Sequence, residues 1–354
     1  MFSLLSCFKQ LDKPMKKILL LTSLVCAISF FSCSKDKNSE DYFTGMVTVT
    51  QKGTLQSLLQ KYSLMDASKL TIVGTLGESD FQTFKELIWL DSLDLSGVKI
   101  SVLPAYAFYG CHLKSIILPE NLEEIGLAAL ESNPITIITI PPSVRTIGER
   151  AFAHCKDLKT VYLSPNSQLK TIMGNQTSSE NTGGAFMNCK ALTSINIPAS
   201  VETIGFWAFD FCSALHTITF QPNSKLKIMD GAFWSCTSLT SIEIPSSIEN
   251  LDATFVNCTS LKTVRFQTDS QLKTIKASTF HNCPLETFDA TNCLHLTSIS
   301  MISCTVNLFK LGTKTPPYCD FSVVDNATLQ VPQGSVNAYK NADGWKNFTY
   351  IYSL

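Results

Sequence analysis

Leu192-Thr193-Ser194-Ile195-Asn196-Ile197-Pro198, followed by Val201, Ile204-Gly205, Ala208-Phe209 and Cys212, is the stretch whose reading decides the fold. Its first part alternates apolar and polar residues, the period of a strand with one buried face. Pro198 has no N–H to give to a ladder and ends the run. Gly205, Ala208, Phe209 and Cys212 then stand at i, i+3, i+4 and i+7, a spacing that predicts one face of a short helix. A unit this small cannot bury two apolar faces alone and must be read with its neighbours.

The same unit returns along the chain. Phe108, Leu130, Phe152, Phe186, Phe209, Phe233, Phe255 and Phe280 follow one another at intervals of 22, 22, 34, 23, 24, 22 and 25 residues. Three residues behind each come Cys111, Asn133, Cys155, Cys189, Cys212, Cys236, Cys258 and Cys283. Repeats of this period signal a solenoid, in which stacked units share one core and set their strands side by side in a parallel sheet. The fold class expected is therefore α/β and rich in strand, with short helices closing each unit. The interval of 34 predicts an insertion, and residues 174–184 (Gly174 to Gly184) form a polar, glycine-rich loop that leaves the stack. The repeats are expected to fill 87–304. Residues 46–86 lack them and read as an N-terminal capping region, with a helix over Leu55–Tyr62 and a strand over Leu70–Val73. Residues 305–354 read as a closing repeat and cap, with Trp345 and Phe348 as the plug over the last turn.

The first residues predict export. Met15-Lys16-Lys17 and the apolar run Ile18–Phe31 have the basic start and short apolar core of a signal peptide, shorter than the roughly 20 residues of a membrane-spanning helix. Met15 is a better start than Met1. The run ends at Phe30-Phe31-Ser32-Cys33 and turns polar at once, so residues 1–32 read as the signal and 33–45 as a polar tether. A small residue, a cysteine and a hydrophilic tether resemble a bacterial lipoprotein cleavage site, which makes Cys33 the expected lipidation site. The two phenylalanines are looser than the usual pattern and leave plain secretion open. Residues 1–32 carry Lys9, Lys13, Lys16 and Lys17 against Asp12, so their loss turns 28 basic and 29 acidic groups into 24 and 28. A net charge of −4 offers no clustered cations to displace phosphate counterions, and no nucleic acid partner is expected.

Residues 138–155, Ile-Thr-Ile-Pro-Pro-Ser-Val-Arg-Thr-Ile-Gly-Glu-Arg-Ala-Phe-Ala-His-Cys, carry the repeat almost throughout. This unit resembles that of the BspA-like class of bacterial leucine-rich-repeat proteins. So does the closing segment Val331-Pro332-Gln333-Gly334-Ser335 with Tyr339 to Phe348, and the likeness covers roughly residues 70–354. It implies a right-handed leucine-rich-repeat solenoid, exported and often on the cell surface, with adhesion or recognition as its role. The motif speaks for a fold and not for a ligand.

Catalytic chemistry finds little support. The chain has no Gly-x-Ser-x-Gly elbow, phosphate loop or His-Glu-x-x-His, and its five histidines fall on different turns. His112, His154 and His281 lie beside ladder cysteines, but a cysteine that points inward and a neighbour that points outward do not converge on zinc. No enzyme, cofactor or metal is expected. The ladder cysteines share one inward position and read as buried thiols, since side chains stacked in parallel seldom meet in disulfide geometry. Cys293, Cys304 and Cys319 are the better place for an isolated disulfide.

Two surfaces could bind a partner. The outward sheet positions form a Ser/Thr column from Ser92 to Ser298 and a varied column, from Asp94 to Ser300, that includes Tyr162, Asn196, Glu243 and Arg265. On the other side, Phe206, Trp207, Phe211 and Trp234 stand where other units carry Glu149, Arg150, His154 and Ala153. Exposed aromatics mark interaction sites, although such rings can also lie flat and cover neighbouring turns. The leading expectation is a surface recognition or adhesion protein that binds a protein partner on a host or neighbouring cell. A periplasmic or envelope scaffold and a carbohydrate-binding accessory lipoprotein remain alternatives.

Overall fold

The computed structural model describes residues 44–175, 183–321 and 326–354. The signal peptide, Cys33, nearly all of the tether and the centre of the inserted loop lie outside them. Within them the chain is a parallel β-solenoid with two strand ladders. The first begins with Thr44–Val49, Lys69–Gly74, Ser92–Val98 and Ser115–Ile117, hydrogen-bonded in that order. It continues through the pairs Ile137–Ile140 with Thr160–Leu163 and Ser194–Ile197 with Thr217–Phe220. It ends in six strands from Ser241–Ile244 to Tyr350–Ser353. Alternation puts Ile195 and Ile197 inside and Ser194 and Asn196 outside, as the period-two pattern requires.

A second ladder, not foreseen from the sequence, runs along another side. Val102–Leu103, Glu124–Ile125, Thr146–Ile147, Thr171–Ile172 and Thr203–Ile204 pair in parallel, each strand only two residues long. The Ile-Gly pairs of the repeat lie here. Gly148 has no Cβ because one would fall 2.7 Å from the Ile125 carbonyl oxygen of the preceding turn. Ser298 and Ser300 belong to this ladder, paired with Tyr318 and Asp320, and not to the first-ladder columns. Those columns continue instead from Thr287 and Asp289 to Leu308 and Lys310. The irregular spacing near the last repeats hid that shift.

The segment expected to form a short helix in each repeat is instead a run of turns. The N–H groups of Ala128, Leu130 and Ser132 donate to the carbonyls of Glu149, Ala151 and Ala153 in the next turn, at 2.8–2.9 Å. The residue two beyond each core phenylalanine is left-handed, as in His154, Asn188, Phe211, Ser235, Asn257 and Asn282. That conformation breaks any helix. Geometry gives the reason. A helix is about 10 Å wide with its side chains, whereas the stacked Phe152, Phe186, Phe209, Phe233, Phe255 and Phe280 rings are 5.1–5.8 Å apart, within 11° of parallel. Among the described residues α-helices occur only outside the repeats, at Leu55–Lys61, Glu78–Thr83 and Val336–Asn341.

The cysteine column has a defined partner in every turn. The Cys155 thiol donates to the Leu130 carbonyl at 3.3 Å, Cys189 to Phe152 at 3.2 Å, Cys212 to Phe186 at 3.2 Å and Cys236 to Phe209 at 3.3 Å. Asn133 does the same work with an amide: it donates to the Phe108 and Leu130 carbonyls and accepts from the Leu113 N–H. The disulfide expected among Cys293, Cys304 and Cys319 is absent; all three are buried free thiols. Their sulfurs are turned to the Ser270 hydroxyl, the Cys283 carbonyl and the Asp343 carbonyl.

Both ends of the stack are closed. Near the first, buried Asp80 accepts three backbone N–H groups, from Gly53, Leu55 and Gly77 at 2.7–2.9 Å, and so ties two helix starts together. Near the last, Trp345 is fully buried, stacks on Phe348 and donates its indole N–H to the Pro317 carbonyl at 2.7 Å.

Truncating Phe209 to alanine removes a ring sandwiched between Phe186 and Phe233. It should cost about 3–5 kcal/mol in urea unfolding. The ten buried thiols should resist alkylation in the folded chain and react once denaturant is added. Modification of any of them at the rate of a free thiol under native conditions would contradict the packing.

Candidate interaction surface

Among the described residues no group of three or more His, Cys, Asp or Glu side chains could hold a metal ion. The features that stand out are instead exposed side chains on a regular lattice. On the first-ladder face Tyr162 is 57 % exposed, with exposed Ile117 and Ile137 on the preceding strands. Asn196 accepts a hydrogen bond from the Thr219 hydroxyl at 3.0 Å, so its outward position is partly committed to the ladder. Glu243 stands opposite Arg265, and Arg265 opposite Asp289, which makes an alternating charge row. These residues share one face but converge on no single point.

The turn side is more distinctive. Phe206, Trp207 and Trp234 are half-buried and touch one another, with ring centroids 5.2, 5.7 and 6.0 Å apart and planes tilted by 53–69°. The Trp234 indole N–H donates to the Ala253 carbonyl at 2.6 Å. Phe206 lies on Gly231, where a Cβ would meet its ring at 2.1 Å. The three rings are thus a packed cluster that still keeps part of its surface in solvent. Phe211 is 48 % exposed and joins none of their ring contacts. The base of the inserted loop abuts this cluster. The Asn175 N–H donates to the Phe206 carbonyl at 2.8 Å, and Gly184 packs against the Trp207 carbonyl.

Two polar features of the turn side were not singled out from the sequence. The Trp207 indole nitrogen is buried without a hydrogen-bond partner among the described residues, and so is Asp210 Oδ1. Burial pushes the Asp210 carboxyl up to about 7, opposed only by the Phe211 backbone N–H. The second is the Tyr106–Tyr109 pair, centroids 6.0 Å apart, near the buried ion pair of Glu131 with Arg150. The two acids had a signal in the sequence: Glu131 and Asp210 each follow a core residue of the ladder, at a position that elsewhere holds Ala153, Met187 or Val256.

Residues 79–181 and 180–307 match the family model described as the BspA type leucine rich repeat region, in 6 copies. The chain belongs to that family. Solved structures with a similar course include a leucine-rich repeat protein from Bacteroides ovatus, 20% identical, covering 88% of this chain and 92% of that one, with a TM-score of 0.43. A leucine rich cell surface protein from Faecalibacterium prausnitzii is 19% identical over 87% of this chain and 82% of its own, with a TM-score of 0.38. The leucine-rich repeat protein of T. pallidum is 26% identical over 54% of this chain and 76% of its own, at a TM-score of 0.37. No curated protein matches the sequence significantly.

A raised carboxyl makes stability depend on pH. In the unfolded chain Asp210 loses its proton near pH 4, whereas in the folded chain it holds it until about 7. The folded state therefore binds more protons between those values, and its stability falls as pH rises through that window. Asp210→Asn should abolish this part of the fall, so the variant gains on the wild type between pH 4.5 and 8 in urea unfolding midpoints. Parallel curves for the two proteins would contradict the burial.

Proposed function

We propose that the chain is an exported, lipid-anchored surface recognition protein that binds a protein partner through its solenoid surface. One observation supports this above the rest: Phe206, Trp207 and Trp234, each partly open to solvent, cluster on the turn side beside an insertion, where other units carry charged or small residues. Trp is a favoured anchor in protein interfaces, and clustered exposed aromatics are uncommon on surfaces that meet only water. The family context agrees, because leucine-rich-repeat solenoids generally mediate protein interactions and are generally not enzymes. Export rests on the apolar run Ile18–Phe31, and anchorage on Cys33. No helix among the described residues is long and apolar enough to cross a membrane.

Protease shaving of intact cells tests the location. The wild-type protein should be removed while the outer membrane is whole, and Cys33→Ala should leave the membrane fraction. Survival of the protein until the membrane is broken would defeat the surface role and favour an envelope scaffold. For the contact face, Trp207→Ala with Trp234→Ala should weaken binding of intact host or neighbouring cells at least tenfold. Unchanged binding would move the site to the face carrying Tyr162, Asn196, Glu243 and Arg265.

A further inference from the structure

Glu131 and Asp210 occupy the same place in two turns, one residue past Leu130 and one past Phe209. Both are buried, at 1 % and 5 % exposure. Glu131 has a counterion. Its Oε1 accepts from the Arg150 guanidinium, which reaches it from the next turn, two residues before Phe152, at a left-handed position. In the turn that follows Asp210, the corresponding position two residues before Phe233 is Gly231, which is left-handed as well, with φ of 61°. It carries no side chain. Asp210 Oδ1 has no partner among the described residues.

The surroundings of Asp210 suit a cation. The Phe206 ring fills the space over Gly231, and Trp234 stands next to Asp210 in the turn-side column, where the Phe211 N–H donates to the Trp234 carbonyl at 3.1 Å. Aromatic faces attract cations, and a guanidinium stacks on them while bonding a carboxylate. A buried carboxylate without a counterion is costly, so a partner that supplies one recovers that cost on binding.

This rests on the recognition role above. We infer that the turn receives a cationic side chain from the protein partner, an arginine before a lysine, which meets Asp210 over the Phe206 and Trp234 rings as Arg150 meets Glu131 within the chain. The acidic balance of the chain without residues 1–32 favours a basic partner at long range. A sugar would satisfy Asp210 through neutral hydroxyls and would not depend on charge.

The test uses the folded chain at pH 8, titrated with hexa-arginine, hexa-lysine and hexa-citrulline peptides, with tryptophan fluorescence as the readout. Hexa-arginine should quench and bind at least tenfold more tightly than hexa-citrulline, with hexa-lysine between them. Asp210→Asn and Phe206→Ala should each lose most of that preference. Asp157→Asn, which removes an equal charge from an exposed site elsewhere, should keep it. Equal binding of citrulline and arginine, or full arginine preference in Asp210→Asn, overturns the inference, the former in favour of a neutral ligand such as a glycan. The outcome is separable from the role itself. Cells captured through Trp207 and Trp234 but indifferent to Asp210→Asn would keep the recognition role and remove the cation site.

Discussion

Everything in this molecule depends on hydrogen bonds that run between turns rather than within them. Backbone N–H groups of each turn segment donate to the next turn, as Leu130 does to Ala151 and Phe209 to Ala232, and the two strand ladders also bond turn to turn, with Gly148 donating back to Ile125. That bonding sets a spacing of about 5 Å, near the natural separation of paired strands. The side chains have to live with it. Phenylalanine rings stack nearly parallel because the backbone brings identical positions into register, at centroid separations within the favoured range for aromatic pairs. Thiols and an amide fill the adjacent column because each can reach the carbonyl one turn away.

Much of this was legible in the chain. The recurrence of Phe and Cys at intervals of 22 to 25 residues marks the stack, and the alternation in Leu192–Pro198 marks the first ladder. The turn segment misleads for a physical reason. Gly205, Ala208, Phe209 and Cys212 have helical spacing, but spacing shows only which residues face inward, and a chain of turns can point the same residues inward. What decides between them is the width available to each unit, a property of the stack that no single unit contains. Asn188, Asn257 and Asn282 suit the left-handed conformation, but Arg150, Trp207 and Phe211, which share it, are not of the kind that announces it in a sequence.

The candidate surface was legible in part. Aligning repeats singles out Phe206, Trp207 and Trp234 as departures, and the structure brings their rings together. The alignment could not show that Phe206 lies on Gly231, nor that the orphaned Asp210 stands where Glu131 has its arginine. Both are relations between turns, and a residue's own unit carries only half of each. On the sheet face, Tyr162, Asn196, Glu243 and Arg265 lie in register, yet register spreads them along the ladder instead of gathering them.

The insertion between Ile172 and Phe186 has a wider meaning. At its base the Ala185 N–H donates to the Met173 carbonyl at 3.0 Å, and in the second ladder Thr171–Ile172 and Thr203–Ile204 stay paired across it. An excursion of any length can therefore be grafted at such a corner without loss of register, provided its two ends meet. A whole unit can be duplicated or deleted with equal ease, because its neighbours present the same groups to whatever replaces it. A change of a few residues inside a strand or a turn has no such freedom. Variation in this architecture is quantised: it comes as entire turns or as loops at the corners, and novelty in recognition has to enter by one of those two routes or by exchange of single outward side chains.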